Sequence, residues 1–259
     1  GSVQLIVGQD QIAELCISNA VRKNAMSGKM LFELAGAVDR LLNEEIDRVS
    51  CVVVRSRGDS NVFCSGLDLN LAKEVVNTPE MGIIMSRMMT DTLNALRNSS
   101  VLSVALLEGP AIGGGAELST TCDFRIMGPS SYCQFVHGKL GVSPGWGGLN
   151  RLVSIVGRTA ALKLLCSSRR MSPEEALRCQ YADDIMPASE DSDKFVRKFL
   201  HPYSTHPFPD ALKNLKRAVV HTTAVNESCN HRGMLEEMLA FQRRWGGADN
   251  KKALQGKQK

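Results

Sequence analysis

The first hundred residues alternate between two hydrophobic periods. Residues 4–7 and 12–17 place apolar side chains at every second position on either side of Gly8-Gln9-Asp10, the pattern of a hairpin. Between Met30 and Leu42 the period lengthens to that of a helix, through Met30, Leu31, Leu34, Ala37, Val38, Leu41 and Leu42, with Ser27 placed to cap it. Cys51-Val52-Val53-Val54 is apolar at every position, as a strand covered on both faces requires. Thr78-Pro79-Glu80 joins a capping hydroxyl to a proline at the first helical position and opens a Met-rich helix through Met81, Ile84, Met88, Leu93 and Leu96. Strands are predicted at 101–107, 123–127 and 132–136. Strand, crossover and strand thus succeed one another, which predicts an α/β fold with parallel or mixed sheets.

From Trp146 onward the spacing is helical, with helices predicted at 146–156, 158–165, 172–177, 191–200, 210–221 and 226–244. Pro202, Pro207 and Pro209 mark a break at 201–210. This divides the chain into a core, 1–200, and a C-terminal helical subdomain, 201–259, whose basic end at 250–259 is expected to fray.

Composition narrows the function classes. The 259 residues can bury a core without staples, and with 5% aromatics and 11 Met that core must be aliphatic and methionine-rich. The net charge of +4 is spread over scattered Lys and Arg with no aromatic pattern beside them, so a nucleic-acid partner is not expected. An anionic small ligand would suit the mild positive balance. Cys16, Cys51, Cys64, Cys122, Cys133, Cys166, Cys179 and Cys229 show no C-x-x-C pair. They read as reduced core thiols of an intracellular protein rather than a disulfide framework or a metal site. No run approaches the ~20 apolar residues of a membrane span. Gly1-Ser2 reads as a cloning remnant, and no leader is evident, so a cytosolic location is expected.

Two glycine loops carry the candidate chemistry. Gly113-Gly114-Gly115 follows the strand-like 101–107 and leads into a short helical pattern, which aims unpartnered N–H groups at one point. Val62-Phe63-Cys64-Ser65-Gly66-Leu67-Asp68 is a second such loop after 51–54. Two converging loops, each with a free N–H, are what an oxyanion hole requires.

In order, FCSGLDL at 63–69, PAIGGGAELSTTCDFRI at 110–126, LGVSPGWGGLNRLVSIVG at 140–157 and SSRRMSPEEAL at 167–177 resemble the crotonase superfamily, the enoyl-CoA hydratase and isomerase fold. The likeness runs from Val3 to about Trp245. It implies a spiral of ββα units whose C-terminal helices serve trimerisation or cover CoA, assembled as a trimer or a pair of trimers. It also implies an acyl-CoA substrate, with CoA part of the substrate and no separate cofactor.

Matched residue by residue, the resemblance places the oxyanion-hole amides on Leu67 and Gly114. Of the two glutamates that hydratases use, the first matches Glu117, and the second falls on His137. That departure argues against hydration, because a lone carboxylate would have to activate water and protonate carbon unaided. Loss of CO2 from a short 2-carboxyacyl-CoA, ethylmalonyl-CoA or methylmalonyl-CoA, needs only the enolate-stabilising amides and one proton. His137 is an expected donor, or as imidazolium a holder of the substrate carboxylate. Glu117 must then be kept protonated by burial, and could itself be the donor, or lie to one side of the leaving group. Trp146 is expected to narrow the acyl pocket. By family position Cys64, Ser65, Gly66, Leu69 and Gly113 should hold CoA and substrate through backbone. Arg22 and Lys23 should meet its phosphates, Lys251 or Lys252 could serve a neighbouring subunit, and Asp68 ties down its own loop. Two rivals remain: an enoyl-CoA isomerase running on Glu117, and a catalytically silent acyl-CoA-binding domain.

Overall fold

The structure, a computed structural model, describes residues 1–226 and 230–255. In chain order the elements are β1 (Ser2–Val7), β2 (Ile12–Ser18), α1 (Gly28–Asn43), β3 (Cys51–Ser56), α2 (Leu69–Glu74), α3 (Pro79–Arg97) and β4 (Leu102–Leu107). There follow β5 (Ala111–Ile112), α4 (Gly114–Ser119), β6 (Phe124–Met127), β7 (Cys133–Gln134), α5 (Gly148–Ser167), α6 (Pro173–Arg178) and β8 (Asp184–Ile185). Four helices complete the chain: α7 (Ser192–Ser204), α8 (Pro209–Asn226), α9 (Asn230–Arg244) and α10 (Ala248–Gln255).

The main sheet has the order β1-β2-β3-β4-β6-β8, antiparallel only at the β1-β2 hairpin, and β5 pairs with β7 in a small parallel sheet beside it. This is the expected α/β spiral. The unbroken apolar run of β3 is explained by its two faces: Val52 and Val54 enter the larger core, while Cys51 and Val53 enter a second core beneath α7. The predicted caps form, with Ser27 and Thr78 each accepting the N–H three residues on, and Ser172 caps α6 in the same way. Gly157, at φ 73° and ψ 164°, interrupts α5, which is why the sequence reads as two helices there.

Several expectations are corrected. The α3 face that enters the core runs through Gly82, Met85, Met89, Leu93 and Leu96, whereas Met81 and Ile84 are exposed. Helix α7 continues through Pro202 to Ser204, because a proline in the last turn forfeits only one backbone hydrogen bond. The strand expected at 132–136 shortens to β7. Cys166 is exposed and Cys179 half-buried, so the core thiols are Cys16, Cys51, Cys64, Cys122 and Cys133; the described cysteines are all free. Cys229 and the end of the tail, 256–259, lie outside the described residues. Among the described residues no helix is long and apolar enough to cross a membrane.

Candidate active site

The two glycine loops meet. Phe63 N–H bonds to the Pro110 carbonyl at 3.0 Å and Ile112 N–H to that of Cys64 at 2.9 Å, so the first loop runs beside the second. At Gly66, φ 88°, a methyl group would lie 2.8 Å from the Gly114 nitrogen, which leaves only glycine able to stand there. The carbonyl of Gly66 and the N–H of Asp68 both bond to Met26, at 2.8 and 3.0 Å. That pairing uses the groups on either side of Leu67 and leaves the Leu67 N–H on the opposite edge of the segment. Gly113 adopts φ 57°, ψ −121°, open to glycine alone, and starts α4 so that Gly114 N–H has no internal partner. Among the described residues no protein acceptor takes either the Leu67 or the Gly114 N–H.

Both residues line one cavity of about 600 Å3. Ser65, Asp68, Leu69, Gly113, Glu117, His137 and Trp146 line it too, with Arg22 and Lys23 at its edge. Cys64 and Gly66 do not. The Cys64 thiol points into the core, its pKa pushed up to about 12 by burial, and Gly66 is taken up in the contact between the loops. Asp68 behaves as the sequence suggests, capping α2 through Asn70 N–H at 2.8 Å and pairing with Arg22 at 3.4 Å. Lys251 lines a smaller cavity of about 440 Å3 that shares Ala72, Asn250 and Leu254 with the main one.

Glu117, one turn into α4 and 2% exposed, has a carboxylate with four donors. Its Oε1 accepts from His137 Nε2 at 2.9 Å and Gly145 N–H at 3.3 Å, and its Oε2 from Trp146 N–H at 2.7 Å and Gly148 N–H at 3.0 Å. Burial pushes its pKa up, but the His137 charge and hydrogen bond, the Trp146 N–H and Arg151 outweigh it, and the net direction is down. Glu117 is therefore ionised, and the expectation of a carboxyl kept protonated by burial is corrected. An ionised carboxylate only accepts, so His137 Nε2 carries a hydrogen. His137 sits on a one-turn 3-10 helix, His137–Leu140, and its other ring nitrogen, Nδ1, is buried without a partner.

Trp146 is 3% exposed, its Nε1–H donating to Met85 Sδ at 3.0 Å and its ring lying over Gly114. Sequence reasoning missed the far wall, which comes from the C-terminal helices: Phe241, Trp245, Asn250 and Leu254 all line the cavity. The available signal was an aromatic pair four residues apart, Phe241 and Trp245. It also missed Glu237, buried and accepting from Leu149 N–H, Asn150 N–H and the Asn150 side chain at 3.1, 3.1 and 2.7 Å, which fastens α9 to the start of α5. Among the described residues no group of three His, Cys, Asp or Glu side chains is arranged to hold a metal ion.

A family model described as enoyl-CoA hydratase/isomerase matches residues 8–255. The chain is 40% identical over 255 residues to ethylmalonyl-CoA decarboxylase of Xenopus laevis, spanning 98% of this chain and 82% of that protein. It is 35% identical over 267 residues to the Homo sapiens protein of that name, spanning 100% of this chain and 82% of the other. A solved enoyl-CoA hydratase from Mycobacterium avium subsp. paratuberculosis K-10 superposes with a TM-score of 0.85 at 18% identity, covering 100% of this chain and 96% of that one. A putative enoyl-CoA hydratase from Thermobifida fusca YX, in complex with acetoacetyl-CoA, superposes at 0.74 with 25% identity, covering 92% and 95%.

Proposed function

Because the chain belongs to the enoyl-CoA hydratase/isomerase family, we propose that it is a carboxy-lyase that removes CO2 from a short 2-carboxyacyl-CoA, ethylmalonyl-CoA and also methylmalonyl-CoA. The observation that carries this reading is the pairing of Glu117 with His137. Of the described residues lining the cavity only Glu117 and Asp68 bear carboxylates, and both are committed: Glu117 to four donors, Asp68 to its cap and to Arg22. Neither is free to activate water, as hydration would require, or to carry a proton between carbons, as isomerisation would. The relatives named ethylmalonyl-CoA decarboxylase support the substrate class.

In the proposed reaction the thioester oxygen accepts from the Leu67 and Gly114 N–H groups. The bond between C2 and the carboxylate breaks, its electron pair enters the thioester as an enolate, and CO2 leaves. Each aimed donor is worth about 10²–10³ in rate. The enolate carbon then takes one proton from Nδ1 of the His137 imidazolium, which recovers it from solvent. One proton is consumed and butyryl-CoA and CO2 are formed from ethylmalonyl-CoA. The thioester carbonyl is the electron sink, so the step balances without a cofactor. Before bond breaking the same imidazolium holds the departing carboxylate. Ionised Glu117 does not repel that carboxylate strongly, because His137, three turn amides and Arg151 offset its charge.

Incubation with ethylmalonyl-CoA in D2O tests the proposal. Butyryl-CoA with a single deuterium at C2, together with CO2, is expected. A shifted double bond from a 3-enoyl-CoA with no decarboxylation would replace this reading with isomerisation. Tight binding without turnover of either substrate would leave an acyl-CoA-binding domain.

A further inference from the structure

Three aromatic rings close the cavity, and each lies directly on a glycine. A methyl group at Gly114 would stand 2.6 Å from the Trp146 ring, one at Gly145 2.5 Å from Phe241, and one at Gly82 2.3 Å from Trp245. Such spacing admits no side chain at any of the three positions, so the rings approach as near as the backbone allows. Phe241, in the last turn of α9, and Trp245, just past its end, stack with ring centroids 4.9 Å apart at 26°.

The three rings differ in how they are held. Trp146 and Trp245 are each pinned through Nε1–H, the first to Met85 Sδ at 3.0 Å and the second to the Val76 carbonyl at 2.7 Å. Neither can turn without leaving a buried donor unpaired. Phe241 has no such tether, and its place is fixed by Trp245 behind it and Gly145 in front. Gly145 is itself part of the turn whose N–H groups hold Glu117. The Phe241 ring therefore stands on the cavity wall one residue removed from Glu117.

We infer that Phe241, with Trp245 as its buttress, is a specificity-determining residue that limits the acyl group to a short chain. The inference rests on the acyl-CoA reading above and extends it to helix α9. A rigid ring seated on backbone rejects added methylenes by overlap, because a close-packed wall cannot yield by more than a few tenths of an ångström. Truncating it would open a space bounded by Trp146, Trp245 and Met85, apolar and suited to the extra methylenes.

The test measures calorimetric affinities of butyryl-CoA, octanoyl-CoA and free CoA for the wild type, Phe241→Ala and Phe241→Leu. None of these ligands can be decarboxylated, so the wall is read apart from the chemistry. The wild type should prefer butyryl-CoA. Phe241→Ala should raise octanoyl-CoA affinity at least tenfold relative to butyryl-CoA, with free CoA unchanged. Phe241→Leu, which keeps most of the packing, should move the ratio at least threefold in the same direction and decides the matter if the alanine variant does not fold. An octanoyl-to-butyryl ratio equal to wild type in the variants that fold, or a wild type without preference, overturns the inference. Failure of the underlying reading shows separately, as a wild type that binds none of these ligands or yields no butyryl-CoA from ethylmalonyl-CoA.

Discussion

Glu117 and His137 work as a unit because each settles the other's state. The turn amides of Trp146 and Gly148 face one carboxylate oxygen, while His137 Nε2 and the Gly145 amide face the other. Replacing Glu117 by Gln sets an NH2 against donors on one side, at about 1–3 kcal/mol for each buried donor left unmatched. The pH dependence has a definite sign. The Glu117 pKa is lower folded than unfolded, so its stabilisation is present above the ordinary carboxylate range and is lost as pH falls through the folded value. The melting temperature of Glu117→Gln should therefore lie well below wild type at neutral pH, with the gap closing below about pH 4. A gap of constant size would mean that Glu117 is not ionised. His137→Gln separates placement from proton supply, because its amide nitrogen can still donate to Glu117 but has no proton to give away. Butyryl-CoA formation should fall by about 10²–10⁴, with a melting temperature lowered less than that of Glu117→Gln. Turnover close to wild type would remove His137 as the acid.

At the scale of elements, the site depends on two strand-to-helix turns held in register. Gly115 is where they press together: a methyl there would lie 2.1 Å from the Cys64 carbonyl oxygen and 2.7 Å from its carbon, both backbone atoms that cannot swing aside. Gly115→Ala must part the loops and displace Leu67 relative to Gly114. We expect kcat for ethylmalonyl-CoA to drop about 10²-fold or more, the worth of one oxyanion donor, with a smaller change in the Kd of free CoA. Unchanged kcat would show that the contact between the loops does not set the amides. These turns were legible in the sequence because strand, glycines and helix start are neighbours along the chain. Which face of α3 is buried was not, since the periodic apolar residues Met81 and Ile84 lie outside while Gly82 lies inside. The reason is remote: Trp245 rests on Gly82, and no local pattern announces a partner so far along the chain.

For the molecule as a whole, the same distinction separates what could be read from what could not. The hairpin and the parallel crossovers follow from local periods, and Leu67, Gly114, Glu117 and His137 from the resemblance of their motifs to the family. The wall made by Phe241 and Trp245 follows only from where α9 docks. That docking rests on Glu237, whose pKa burial first and the charge of Glu117 second raise to about 7, against the pull of the Leu149 and Asn150 amides. A folded value above the unfolded one means that stability from this group is full below the ordinary carboxylate pKa and declines as pH rises through about 7. At about 1.4 kcal/mol per unit, the decline is on the order of 3 kcal/mol. Glu237→Gln removes the ionisation while keeping one acceptor for the α5 amides. Thermal melts should then show the wild type losing stability relative to Glu237→Gln between about pH 4.5 and 7, with the difference level on either side of that window. A difference independent of pH would mean that Glu237 stays charged throughout. The helix bearing the proposed acyl wall is thus fastened by a carboxylate that ionises near neutrality, so the grip of α9 on the site should weaken as that group charges.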